Sequence, residues 1–240
     1  MIITSVNNEL IKETAKLLKG SKYRDESGLF IIEGFKGIEE ALDAGIEIVH
    51  IFSVEGFENL PQRVEVNEAV LSKISDAKTP PKAIAVAKQL NPQWSDNYKK
   101  VILLEGIKDP GNLGTILRTA AAFNIDAVVL YGDTVDLYNP KTVRSTVGNL
   151  WKVPVFKLDN LERFENYERV ATLPAGLNIT KLNEYKPSNE VLIMFGSEAD
   201  GLSEELKNFA TKNVTIEMQK NVESLNLSVS AAIFMYKLFV

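Results

Sequence analysis

Apolar positions along this chain alternate between short continuous runs and stretches where they recur every three or four residues, the signature of buried strands alternating with amphipathic helices. The clearest case spans residues 101–131, VILLEGIKDPGNLGTILRTAAAFNIDAVVLY. Residues 101–104 form an apolar run too short for a helix and bounded by Gly106, Pro110 and Gly111, which predicts a buried strand and a loop. Asn112 stands as the N-cap of a helix whose apolar face is Leu113, Ile116, Leu117, Ala120 and Ala121 and which stops at Asn124. Residues 127–130 return as a second strand. The result is a βαβ unit with a polar loop at the carboxyl end of its first strand, where α/β proteins bind ligands.

The alternation continues on both sides. Residues 6–18 predict an amphipathic helix, 29–33 a strand, 34–44 a helix, 47–53 a strand, 68–74 a helix and 83–87 a strand, together a small α/β module. Residues 88–100, KQLNPQWSDNYKK, show no period. They suggest a first domain over 1–90, a linker over 91–100 and a second domain over 101–240. Within the second domain a helix near 141–150 and strands over 153–157, 170–173, 191–195 and 213–218 predict a parallel sheet covered by helices. Residues 227–240 are apolar on nearly every face, which predicts a buried helix and, at the end of a chain, a subunit interface.

Composition adds exclusions. Of 240 residues, 45% are apolar and 25% charged, ordinary for a globular protein. Absence of cysteine excludes a disulfide framework and thiolate metal sites, and a single histidine leaves little for metals. That residue, His50, lies in an apolar run and is assigned no role. No basic stretch followed by a long apolar run opens the chain, and residues 231–240, interrupted by Lys237, are too short to span a bilayer. The expectation is a cytoplasmic protein with no membrane segment. A net charge of −5 argues against a general polyanion binder but leaves room for a basic patch, for which Lys12, Lys16, Lys19, Lys22 and Arg24 are candidates.

Three loops of the second domain carry the chemistry. In the first, Arg118 leans back over Gly114, where no side chain blocks it, and is expected at the helix mouth beside Asn112. The second, Gly196-Ser197-Glu198-Ala199-Asp200-Gly201-Leu202, follows the strand VLIMF, and Ser203 caps a helix whose first turn holds Glu204 and Glu205. Glu198 either receives hydrogen bonds from a ligand or braces the turn. The third, residues 219–226, ends in Ser224-Leu225-Asn226, whose polar groups either cap the last helix or line a pocket.

Taken together, Asn112-Leu113-Gly114 with Arg118, Gly196-Ser197-Glu198 with Gly201-Leu202, and Ser224-Leu225-Asn226 with Ser228 resemble, in order and setting, the SpoU (TrmH-type) branch of the SPOUT methyltransferases. Residues 141–154, KTVRSTVGNLWKVP, share the likeness, and residues 30–39, FIIEGFKGIE, are similar to the L30e-like substrate-binding domain of rRNA-modifying members. The resemblance implies an α/β chain whose SPOUT domain has a parallel sheet and a deep trefoil knot, preceded by a small L30e-like domain. It implies methyl transfer from S-adenosylmethionine to a ribose 2′-hydroxyl of RNA, with ribosomal RNA favoured and transfer RNA the alternative, by a homodimer. It places the cofactor against Gly196, Leu202, Ile216, Met218 and Leu225, and assigns the reaction to Arg118, acting across the dimer, with Asn112, Glu198, Ser224 and Asn226.

A guanidinium is always protonated and accepts no proton, so Arg118 is expected to clamp an RNA phosphate and stabilise the developing alkoxide. The family usually has glycine at the positions of Ala199 and Lys220 and proline at that of Glu217. An alanine forced into left-handed backbone costs roughly 1 kcal/mol or more. Two rivals compete. One is an RNA-binding relative without efficient methyl transfer. The other is a dinucleotide oxidoreductase, disfavoured because GNLG does not replace G-x-G-x-x-G.

Overall fold

The computed structural model describes residues 2–176, 179–219, 221–222 and 224–240. In chain order the elements begin with β1 (Ile2–Ile3), α1 (Glu9–Lys19), α2 (Ser21–Ser27), β2 (Leu29–Glu33), α3 (Phe35–Asp43), β3 (Ile48–Ser53), β4 (Arg63–Val66), α4 (Glu68–Lys73) and β5 (Ala83–Lys88). They continue with β6 (Lys100–Glu105), α5 (Pro110–Ala122), β7 (Ala127–Tyr131), α6 (Pro140–Thr146), β8 (Val155–Leu158) and β9 (Glu168–Thr172). The last are β10 (Thr180–Lys181), β11 (Val191–Phe195), α7 (Glu204–Phe209), β12 (Lys212–Thr215) and α8 (Leu227–Phe239). Two compact units result, one holding residues up to Asn91 with Asp136–Trp151, the other Pro92–Val135 with Lys152–Val240.

The first unit is a five-stranded mixed sheet in the order β1-β4-β3-β5-β2, with β5 antiparallel to both of its neighbours. Ile11 and Leu17 of α1 pack with Ile31, Phe52, Val70, Leu71 and Ile84 in its core. Here the structure departs from the expected boundaries, because residues 136–151 belong to this unit. Asp136 takes a 2.6 Å hydrogen bond from Nε of Arg24. Arg144 pairs with Glu33 at 2.6 Å and also with Asp76. The Tyr138 ring lies 4.8 Å from that of Phe30. Sequence periodicity carries no information on such distant partners.

The basic cluster also reads differently. Arg24 is only 3% exposed and donates to the Leu17 carbonyl as well as to Asp136, so it is a structural ion and unavailable to RNA phosphate. Lys12, Lys16 and Lys22 lie beside Glu9, Glu13 and Glu26 at 3.6, 2.6 and 3.8 Å. Residues 21–27 form α2, closed by Gly28 in the left-handed region.

The second unit is a seven-stranded, wholly parallel sheet in the order β10-β12-β9-β11-β6-β7-β8. Its central strands are buried along their length, from Val101 to Leu104 in β6 and throughout β11, as expected for strands covered on both faces. Two residues of the expected linker, Trp94 and Tyr98, pack against this core, the Trp94 ring 4.9 Å from Phe156. Because all strands run the same way, the loops after β6, β9, β11 and β12 emerge at one edge. α8 buries Leu227, Ala231, Phe234 and Met235 but leaves Val229, Ile233 and Tyr236 exposed at 46, 36 and 62%, so it is not covered all round by its own chain.

Candidate functional site

α5 starts earlier than its sequence suggested. Asp109 is the N-cap, its side chain accepting the Asn112 N–H at 2.8 Å, and Pro110 fills the first helical position, where a missing N–H costs nothing. This moves Asn112 into the first turn and frees its side chain from capping. Its Nδ2 donates to Glu198 Oε1 at 2.8 Å, and its Oδ1 accepts from Asn226 Nδ2 at 3.0 Å. Asn226 caps α8, its Oδ1 receiving the N–H groups of Ser228 and Val229 and the Ser228 hydroxyl. Both alternatives weighed for Asn226 are therefore met: it caps with one end of its amide and joins the site with the other. One polar chain, Asn226 to Asn112 to Glu198, ties the three loops together.

The loop after β11 is held by its own backbone. Ser197 and Gly201 exchange hydrogen bonds at 3.2 and 3.1 Å, and the Ser197 hydroxyl accepts the Asp200 N–H at 3.0 Å. A Cβ on Gly196 would stand 1.9 Å from the Gly201 carbonyl carbon and 2.1 Å from the Leu202 nitrogen, so only glycine fits. Gly201, at φ +69°, supplies the left-handed turn, and Ala199 is not among the residues with positive φ. The strain anticipated for Ala199 is thus absent. Lys220 lies outside the described residues, as does Glu223 in the same loop.

Beside these loops opens a cavity of about 640 Å³. Gly196, Leu202, Ile216, Met218 and Leu225 all line it, together with Glu198, Ser224 and Asn226. Thr172, the last residue of β9, with Leu173 and Pro174 after it, forms part of the wall, and all three were missed from the sequence. Their signal was position alone, at the carboxyl end of a parallel strand. Lys207 also reaches the cavity and pairs with Glu204 at 2.8 Å.

Arg118 stands apart. It is exposed and lines a second cavity of about 800 Å³ with Thr115, Thr119, Glu217 and Tyr236, formed where α5 packs on α8. Six residues separate it from Asn112, about 240° around the helix, so leaning over Gly114 does not bring it to the Asn112 face. Ile216 is shared by the walls of both cavities. Glu217, where the family usually has proline, pairs with Lys181 at 2.8 Å and raises its pKa.

At the carboxyl end of β7, the Glu205 carboxylate accepts from the Tyr131 hydroxyl at 2.7 Å and, with burial, pushes that phenol up to about 12. Lys108 pairs with Asp133 and lowers its pKa. Among the described residues no group of three or more His, Cys, Asp or Glu side chains is arranged to hold a metal ion, and no helix is long and apolar enough to cross a membrane.

A parallel α/β sheet whose strand-end loops converge on one glycine-walled cavity defines a ligand-binding domain of the kind that takes a small molecule at its carboxyl edge. Residues 99–236 match the model of the SpoU rRNA Methylase family, and residues 8–85 match the MRM3-like substrate binding domain. The chain belongs to the SpoU family. It is 32% identical to the Bacillus subtilis 23S rRNA (guanosine(2553)-2'-O)-methyltransferase RlmP, across 98% of each chain. Among solved structures it resembles an AdoMet-bound rRNA methyltransferase from Sinorhizobium meliloti, with 28% identity, TM-score 0.85 and 99% and 96% of the two chains covered. An RNA 2'-O ribose methyltransferase matches with 34% identity, TM-score 0.81 and coverage of 99% and 97%.

Proposed function

We propose that this chain is an S-adenosylmethionine-dependent methyltransferase that modifies a ribose 2′-hydroxyl in ribosomal RNA. The observation that carries the reading is the polar chain from Asn226 through Asn112 to Glu198 at the edge of the 640 Å³ cavity. The cavity suits the cofactor: Leu202, Ile216, Met218 and Leu225 offer apolar walls for an adenine, and Gly196 lets ligand atoms approach backbone. Glu198 supplies a carboxylate, favourable beside a sulfonium. When bound, S-adenosylmethionine contributes an electrophilic methyl group.

The chain's own residues then have distinct tasks. Asn112 and Asn226 fix the Glu198 side chain, and Ser224 offers a hydroxyl at the same wall. Arg118 clamps an RNA phosphate and stabilises the developing 2′-alkoxide. Its position in the other cavity supports action on a partner's site, in a homodimer built on the exposed Val229, Ile233 and Tyr236 face of α8. The trefoil knot common in such domains is part of the same proposal, supported by the convergence of the 196–202 and 224–226 loops. The name of the Bacillus subtilis relative supports ribosomal RNA and the 2′-oxygen.

The test is calorimetric titration with S-adenosylmethionine for the wild type and Arg118→Ala, followed by transfer of labelled methyl to undermethylated ribosomal RNA. Expected are cofactor binding to both proteins and incorporation by the wild type alone, at a nucleotide made resistant to alkaline cleavage. RNA binding without incorporation would make the chain a non-catalytic relative.

A further inference from the structure

Glu105 and Tyr131 are the last residues of β6 and β7 and stand directly opposite each other in register. Glu105 Oε2 accepts the Ser203 N–H at 2.8 Å, and the Tyr131 hydroxyl donates to Glu205 Oε1 at 2.7 Å. Two neighbouring strand ends therefore grip the start of α7, whose Ser203 Oγ caps the Leu206 N–H at 3.2 Å. Leu202, one residue before Ser203, is 3% exposed and forms part of the cavity wall, whereas neither Glu105 nor Tyr131 lines the cavity.

The loop between closes on itself through the Ser197–Gly201 pair and has little else to fix it to the rest of the domain. Glu198, Ala199, Asp200 and Gly201 are exposed, so the loop is placed by its ends and by the Asn112 contact at its tip. Gly196 and the Gly201–Leu202 backbone are in such close contact that any shift of Leu202 must move Gly196 as well. A hydrogen bond from a backbone N–H to a carboxylate is among the stronger kinds, and the raised pKa of Tyr131 keeps its phenol a donor across the neutral range.

We propose that Glu105 and Tyr131 are positioning residues that hold the 196–202 loop in the geometry that binds the cofactor, an inference that rests on the function proposed above. They act on the ligand only through Ser203, Glu205 and Leu202.

The experiment is calorimetric titration of the full chain with S-adenosylmethionine for the wild type, Glu105→Ala, Glu105→Gln and Tyr131→Phe, with thermal melts and binding to a ribosomal RNA transcript alongside. Glu105→Ala is expected to weaken cofactor binding about 10-fold and Tyr131→Phe about 3-fold, with RNA affinity unchanged. Glu105→Gln, whose amide oxygen still accepts the Ser203 N–H, should stay within about 3-fold of the wild type. Equal cofactor affinity in the wild type and Tyr131→Phe, measurable even if Glu105→Ala does not fold, would overturn the proposal. So would a parallel fall in cofactor and RNA affinity that tracks the melting temperature. A wild-type protein that binds RNA but no cofactor would overturn the proposed function and this inference with it.

Discussion

Asn226 hands Nδ2 to Asn112 Oδ1 at 3.0 Å, and this one contact dictates the orientation of both amides. Asn226 Oδ1 is committed to the N–H groups of Ser228 and Val229 and to the Ser228 hydroxyl, so its Nδ2 must face Asn112. Asn112 then has its oxygen occupied and turns Nδ2 to Glu198. Residue 112 must therefore both accept from Asn226 and donate to Glu198, which its amide does and an ionised carboxylate cannot.

Asn112→Asp replaces that donor with a carboxylate facing Glu198. Repulsion should drive Glu198 out of place while the helix, capped by Asp109, stays formed. Methyl transfer is expected to drop about 100-fold with little change in melting temperature, since small misplacements of reacting groups cost rates of that order. Single-turnover incorporation measures it. A wild-type rate in Asn112→Asp would remove the polar chain from the reaction.

Two substitutions in the 196–202 loop separate steric necessity from family habit. Gly196→Ala inserts a Cβ 1.9 Å from the Gly201 carbonyl carbon, so the loop must open. The expected cost is about 1–3 kcal/mol of stability together with loss of cofactor binding. Ala199→Gly restores the usual family residue, yet Ala199 carries no positive φ and is exposed. It should lower stability by less than about 1 kcal/mol and leave cofactor affinity unchanged. Denaturant unfolding and calorimetry on the pair test this, and tighter binding by Ala199→Gly would show that the loop is strained after all.

What the sequence made legible is what local pattern can encode. The apolar run at 191–195 is β11, Ser203 caps α7 through the Leu206 N–H, and the second motif with residues 224–226 lines one cavity that Asn112 adjoins, whereas Arg118 and Ser228 line the other. Contacts set by distant chain were invisible. Nothing local to Asp136 announces Arg24 as its partner, so residues 136–151 were expected in the second domain. The expectation that Arg118 joins Asn112 rested on its lean over Gly114, but six residues of helix turn it about 240° away, to the wall of the other cavity. Thr172 to Pro174 lacked any motif and became part of the wall only through the order in which the strands pair.

The basic residues of the first unit should divide by environment. Arg24→Ala strands Asp136, a side chain 16% exposed, without its ion pair, and is expected to destabilise the protein by about 3–5 kcal/mol. Lys19→Ala should leave stability unchanged and, if this helix meets RNA, lower the slope of log affinity against log salt by about one. Lys12, Lys16 and Lys22 sit beside glutamates, which weakens their pull on phosphate. Thermal melts and filter binding at several salt concentrations distinguish the two classes. An unchanged salt slope in Lys19→Ala would take α1 off the RNA path.

The only histidine provides a pH probe free of overlap. His50 on β3 lies with its ring 5.8 Å from that of Phe52, and burial lowers its pKa below the ordinary 6.5. Its neutral form is therefore favoured in the folded state. Between the folded value and 6.5 the unfolded chain binds more protons than the folded one, so stability rises with pH through that window and falls as pH drops through it. Above the window His50 contributes no pH dependence. Melting temperatures of the wild type should decline from pH 7 toward pH 5.5 more steeply than those of His50→Gln. The single imidazole resonance should titrate with a midpoint below 6.5. A midpoint at or above that value, or parallel melting curves for the two proteins, would show that the ring is solvated rather than buried against the sheet.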